Sequence, residues 1–117
     1  MFSSQARVIP AASLIDSELE STPLDPTKIV SGTPAVHHQG VYDGDDVTVG
    51  IWQHGVGVST DVEADEIFIV LSGRATIEIE DGPTLEVGPG DIGTYPPGSR
   101  TTWTVHETLR KVYVVRP

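Results

Sequence analysis

From residue 47 onward the chain alternates short apolar-rich runs with turns built on glycine, proline and aspartate. Residues 47–54, VTVGIWQH, alternate along their length and are rich in β-branched and aromatic side chains, which predicts a strand. Residues 67–71, IFIVL, form a short, wholly apolar run ended by Ser72-Gly73. Residues 74–80, RATIEIE, return to a period of two and meet Asp81-Gly82, a tight-turn pair. Residues 84–87 stop at Gly88-Pro89-Gly90, and residues 101–105 and 112–115 complete the series. Strands about eight to twelve residues apart, with glycine or proline between them, predict an all-β sandwich or barrel.

The first 46 residues have a different texture, interrupted by Pro10, Pro23, Pro26, Gly32, Pro34, Gly40 and Gly44. Residues 13–19 can start a helical turn, but no helical period continues beyond them. This segment is expected to be irregular and to wrap the domain or add an edge strand, which two copies could exchange. With no internal repeat and no linker, the expectation is one domain: an irregular segment over 1–46 and a barrel core over 47–117.

Composition narrows the class. At 117 residues the chain has the size of one ordinary domain, and 38% hydrophobic with 21% charged residues is neither membrane-like nor disordered. The longest apolar run, Ile67 to Leu71, is far short of the roughly 20 residues of a membrane-spanning helix. The opening MFSSQARVIP has no basic segment followed by an apolar stretch, so no signal peptide is expected. The absence of cysteine removes disulfides, thiolate metal sites and cysteine nucleophiles. A cytoplasmic location is the expectation. A formal net charge of −10, with basic residues scattered along the chain, argues against nucleic acid and anionic membranes as partners. No glycine-rich nucleotide loop and no assignable Ser-His-Asp set is present.

The spacing of glycines, one glutamate and one proline is the most informative feature. Glu66 is followed by six residues and Gly73; Gly90 is followed by five residues, Pro96, one residue and Gly98. These spacings resemble the two motifs of the cupin superfamily, G(x)5HxH(x)3–4E(x)6G and G(x)5PxG(x)2H(x)3N. Further blocks, Val49-Gly-Ile-Trp52, Asp65 to Gly73, Gly88-Pro-Gly-Asp91, Tyr95-Pro-Pro-Gly98, Thr102-Trp103 and Glu107 to Tyr113, resemble one small single-domain cupin family. That family is related to the C-terminal cupin domain of ureidoglycine aminohydrolases and to the ethanolamine-utilisation cupins, and the likeness runs from about residue 24 to 115. It implies an RmlC-like jelly-roll β-barrel of two antiparallel sheets. It also implies that Glu66 projects into the barrel mouth, beside the place where histidines converge on a metal.

The histidines are missing. The first pair of ligand positions falls on Thr60 and Val62, or with a longer spacer on Ser59 and Asp61; the last histidine position is Thr101 and the asparagine position Val105. A catalytic divalent ion needs a cluster of imidazoles and carboxylates, so the metal site reads as degenerate and no metal or cofactor is assigned. Asp61, Glu63 and Glu66 could form a weak carboxylate-only site, but a solvated acidic loop is the preferred reading of residues 61–66. His54 is the other candidate ligand, against a strand-capping role, while His37, His38 and His106 read as ordinary surface or packing residues.

Strand alternation, placed by the resemblance, turns Thr101, Trp103 and Val105 inward together with Glu66, Phe68 and Val70. Trp52 and His54 share one strand face, and Lys111 and Tyr113 share another. The expected pocket therefore comprises Glu66 and Lys111 as candidate catalytic groups, with Trp52, His54, Trp103 and Tyr113 contacting substrate. Glu66 without a partner would be a usable acid or base; paired with Lys111 it would form a buried ion pair where a metal was lost. The leading functional reading is a metal-free barrel that binds a small metabolite of amino or ureido type. The alternatives are a metal-dependent enzyme resembling the aminohydrolases, with Glu66 and His54 among its ligands, and a non-catalytic interaction module. A homodimer built through residues 24–46 is compatible with all three.

Overall fold

The computed structural model describes residues 6–116. Residues 1–5, on which half of the reading of the chain's opening rests, lie outside the described residues. The fold is an antiparallel jelly roll. Its strands are β1 (Glu20–Ser21), β2 (Ile29–Ser31), β3 (Val36–Asp43), β4 (Thr48–His54), β5 (Gly57–Val62), β6 (Asp65–Ile79), β7 (Thr84–Val87), β8 (Ile92–Tyr95) and β9 (Arg100–Arg116).

Two long strands organise the others. β6 and β9 run antiparallel through most of their lengths, from Asp65 opposite Arg116 to Ile79 opposite Thr101. The early half of β9 pairs with β5 on its other side, and the late half pairs with β4. β8 lies against the early half of β6, and β7 against its late half. One half of the fold is thus β1-β3-β4-β9-β6-β8, and the other is β2-β5-β9-β6-β7. The register of the β6–β9 ladder shifts between Val70 and Ala75, where the shared ribbon bends. Gly73 makes the bend possible. Its φ is +87°, and a Cβ there would lie 2.1 Å from the carbonyl oxygen of Thr108.

Alternation along these strands builds the core. Phe68 and Val70 point inward, whereas Ile67 and Ile69 in the same apolar run are substantially exposed. Phe68, Val70, Ala75, Ile77, Val87, Tyr95, Trp103, Val105 and Leu109 form one buried cluster.

The N-terminal segment is more ordered than its prolines and glycines suggest. Residues 36–43, expected to be irregular, make the eight-residue strand β3, which pairs with β4 and absorbs Gly40 at a register shift. β1 extends the outer edge of β3, and β2 pairs with β5. The helical turn expected over 13–19 starts earlier, as α1 (Ala11–Asp16). Arg110, buried on the outside of β9, holds it. Nη1 donates to the carbonyl of Leu14 at 3.1 Å, Nη2 to that of Ser17 at 2.9 Å, and Nε to Gln53 Oε1 at 3.0 Å. Among the described residues no helix is long and apolar enough to cross a membrane.

Candidate functional site

A cleft of about 230 Å³ opens into one end of the barrel, lined chiefly by Trp52, Glu63, Glu66, Trp103, Lys111 and Tyr113. The register explains how Lys111 and Glu66 meet. Lys111 stands opposite Val70, and Phe68 and Glu66 follow on the same inner face of β6. Four residues of strand span roughly 13 Å, so the lysine stem must run along the strand across Phe68 to reach the carboxylate. Its Nζ ends 2.7 Å from Glu66 Oε2. Trp52 is the register partner of Lys111 on the other flank, and Trp103 approaches from the early half of β9. The Nζ therefore lies 4.6, 4.7 and 4.9 Å from the ring centroids of Trp52, Phe68 and Trp103. Lys111 is buried, its side chain 6% exposed, and Glu66 is partly buried at 11%.

Two further residues complete the polar set. Tyr95, the register partner of Glu66 on β8, donates its hydroxyl to Glu66 Oε2 at 2.8 Å. Glu63, in the turn between β5 and β6, accepts from Trp103 Nε1 and Thr101 Oγ1, each at 3.2 Å on Oε2. Its backbone is anchored to the turn before β9, where its N–H donates to Ser99 O and its carbonyl accepts from Gly98 N. Burial pushes the Glu63 carboxyl above the ordinary carboxylate range. The Lys111 charge and hydrogen bonds from Tyr95 and Trp103 oppose that rise, and the negative charge of Glu66 adds to it. Burial, reinforced by both glutamates, pushes the Tyr95 phenol far up, so it serves as a neutral donor.

Behind the cleft, His54 is 0% exposed and packs against Trp52. Its Nδ1 lies 2.6 Å from the Gly55 carbonyl, which can only accept, so Nδ1 carries the proton. Nε2 then accepts from Ser59 Oγ at 2.8 Å. Burial, with the nearby Lys111 charge, holds the imidazole below its ordinary range and hence neutral. At the other side His38 is hydrogen-bonded to the Tyr113 hydroxyl and stacked on its ring, 5.7 Å between centroids. Gly50 is the register partner of Tyr113, and a Cβ at Gly50 would lie 2.2 Å from that hydroxyl. The tyrosine ring occupies the space that glycine leaves. The Tyr113 phenol too is raised, by burial and then by Glu66 and Asp43.

Of the six residues expected to form the pocket, Trp52, Glu66, Trp103, Lys111 and Tyr113 line the cleft together, while His54 forms its backing. Glu63 does not belong to a solvated loop: its side chain turns in and binds Trp103. The sequence marked it only as one of three carboxylates, with Asp61 and Glu66, of a weak metal site; alternation could not turn it inward, because it sits in a turn outside any strand. Tyr95 was legible in principle, since residues 92–95 alternate exposed and buried. His38, expected to be an ordinary surface or packing residue, lines the cleft.

The donor set does not fit the metal that the histidine motif serves. Among the described residues no three His, Cys, Asp or Glu side chains gather as a metal site. Ser59 donates to His54, Thr101 to Glu63, and Asp61 pairs with Lys28 at 3.0 Å. Glu66 Oε2 is held by an ammonium and a phenol. A larger groove, about 690 Å³, runs along the outside of β5, β9 and β6 past Lys28, Glu78, Glu80 and Arg100. The ion pair beside it, Lys28–Asp61, is nearly half exposed, and solvent screens such groups. The inner cleft, with buried charges and aromatic walls, is the better candidate.

The sequence model of the EutQ-like cupin domain matches residues 42–113. No curated protein matches the chain. The structure of the Clostridium difficile EutQ protein aligns with a TM-score of 0.66 at 19% identity, over 82% of this chain and 81% of that one. A putative ethanolamine utilization protein, EutQ of Salmonella typhimurium LT2, aligns with a TM-score of 0.63 at 21% identity, over 86% and 94%. A protein of unknown function from Rhizobium leguminosarum bv. viciae 3841 aligns over 97% and 98% of the two chains, with a TM-score of 0.65 and 25% identity.

Proposed function

We propose that this chain, which belongs to the EutQ-like cupin domain family, binds a small metabolite in the mouth of its barrel without a histidine-held metal. The observation that carries this reading is the cleft of about 230 Å³ in which Trp52, Glu63, Glu66, Trp103, Lys111 and Tyr113 converge. Small-molecule sites are concave, mostly apolar and furnished with a few fixed polar groups. Here the fixed groups are Glu63, held by Trp103 and Thr101, and the Glu66–Lys111 pair. Glu63, with its raised proton affinity, is the group suited to exchange a proton with a ligand. Glu66, bound to Lys111 and Tyr95, is suited to hold its surroundings in place.

The test is a thermal-shift and ligand-detected NMR screen of small amines, ureido compounds, carboxylates and neutral polyols. It is run on the native protein and on Tyr113→Ala, which opens the wall of the cleft. A saturable hit weakened by Tyr113→Ala supports the reading. A screen without hits, or hits indifferent to that substitution, overturns it.

A second observation favours a homodimer. Ile67, Ile69 and Ile92 are exposed on the outer face of β6 and β8, with Ile92 68% exposed, and Ile69 is the register partner of both Ile92 and Val112. An apolar stripe of this kind is a self-association surface, and a second copy of the chain is the occupant we propose for it. Dimerisation is compatible with metabolite binding and with a purely structural role; the ligand screen separates those two.

A further inference from the structure

We propose that the cage formed by Glu66, Trp52, Phe68 and Trp103 is a binding site for a primary alkylammonium, filled by this chain's own Lys111 and closed by it to a divalent metal. The cage shares Trp52, Glu66, Trp103 and Lys111 with the cleft described above, but the inference does not require a metabolite in that cleft.

Three rings approach one nitrogen within 4.9 Å, and a carboxylate oxygen lies 2.7 Å away. A desolvated cation gains from each ring face it meets, and here three rings share one ammonium. A structural lysine needs no such enclosure, because its stem can pass through an apolar region and release the charged end to water. Lys111 instead keeps its ammonium inside.

Each wall is also fixed from behind, without help from the lysine. Glu66 is held by the Tyr95 hydroxyl at 2.8 Å. Trp103 is tied through Nε1 to Glu63. Phe68 stands opposite Gly93, where a Cβ would come within 2.1 Å of the ring. Trp52 rests against His54 at 5.3 Å between centroids and meets Trp103 edge-on at 5.5 Å. The cage is thus preorganised for a cation, and truncating the lysine should leave a receptor and not a collapsed core.

The charge count selects the guest. Among the described residues Glu66 is the one carboxylate bonded to the ammonium, and one ammonium neutralises one carboxylate. A hard divalent ion asks for several oxygen donors, whereas here Glu66 Oε2 is bonded to Lys111 and Tyr95, Glu63 Oε2 to Thr101 and Trp103, and Ser59 to His54. Where the histidine motif would hold an exogenous ion, this chain carries a covalently tethered one.

Lys111→Ala removes three carbons and the nitrogen, the outline of n-propylammonium. The experiment follows the Tm of the native protein and of Lys111→Ala with added n-propylammonium, 1-propanol as its neutral isostere, and Mn²⁺. The expected result is a lowered Tm for the variant and a saturable recovery with n-propylammonium that 1-propanol does not match. The native protein responds to none of the three. Recovery by 1-propanol to the same extent, no recovery at all, or stoichiometric Mn²⁺ uptake by the native protein overturns the proposal. If Lys111→Ala does not fold, Lys111→Met keeps the volume and removes the charge. A Tm equal to that of the native protein then overturns the proposal, and a clear drop supports it.

Discussion

Lys111 and Glu66 meet at 2.7 Å although four residues of β6 separate their levels in the barrel, because the lysine lies along the strand across the face of Phe68. A buried pair of this kind is expensive to break and cheap to replace. Lys111→Met and Glu66→Leu should each cost about 3 kcal/mol, since each leaves a largely buried charge without its partner. The double variant should lose less than either single change predicts by addition. Urea denaturation of the four proteins measures the coupling. Additive losses would mean that the pair contributes nothing as a pair.

Glu63 sets one pH dependence. Its folded proton affinity exceeds its unfolded one, so the native state holds the proton through a range where the unfolded state has released it. Its contribution is present below the ordinary carboxylate pKa of 4.5 and is lost as pH rises through the raised folded value. Glu63→Gln, which keeps an acceptor for Trp103 and Thr101, should flatten the fall in Tm above pH 4.5 and raise Tm at neutral pH. A pH series of melting curves checks this; unchanged slopes would remove Glu63 from the account.

His54 acts in the opposite sense. Burial lowers its folded proton affinity, so its contribution is present above the unfolded value of 6.5 and is lost as pH falls below it. Nitrogen-15 NMR should find the ring as the neutral Nδ1–H tautomer at pH 6.5, where a free imidazole is half protonated. Ser59→Ala leaves Nε2 without its donor and should cost about 1–2 kcal/mol. A protonated ring at pH 6.5 would show that the Gly55 and Ser59 contacts do not fix it.

The outer stripe predicts an oligomeric state. Ile69→Asp with Ile92→Asp should convert the proposed dimer to a monomer in light scattering coupled to gel filtration, leaving circular dichroism unchanged. A native protein already monomeric at high concentration contradicts the dimer.

The strands from Val47 onward and the inward set 66/68/70 and 101/103/105 were legible in the sequence, which left Glu66 either paired with Lys111 or unpartnered. Period-two alternation and turn residues are local signals, and the family spacing located them in a barrel. Other features depended on register, which alternation alone does not supply. Glu63 enters the site because its turn is clamped to Ser99 and Gly98, far away in sequence. His38 reaches Tyr113 because β3 adds to β4, and the glycines and prolines of the N-terminal segment concealed that strand. His54 shares a strand face with Trp52 as alternation requires, yet the bend of the sheet leaves one lining the cleft and the other sealed behind it.

The double role of β9 bears on how the molecule assembles. Its early half lies between β5 and β6 and its late half between β4 and β6, so neither half of the barrel is complete until residues 100–116 arrive. During synthesis, strands β3 to β8 emerge with their central partner still inside the ribosome. Their edges are open and Phe68, Val70 and Ile77 uncovered. Closure must therefore be late and abrupt, insertion of a single strand uniting both halves at once. Stalled chains extended at the C-terminus by an unstructured linker should pass from protease-sensitive to protease-resistant in one step, at the linker length that brings residues 100–116 out of the ribosome.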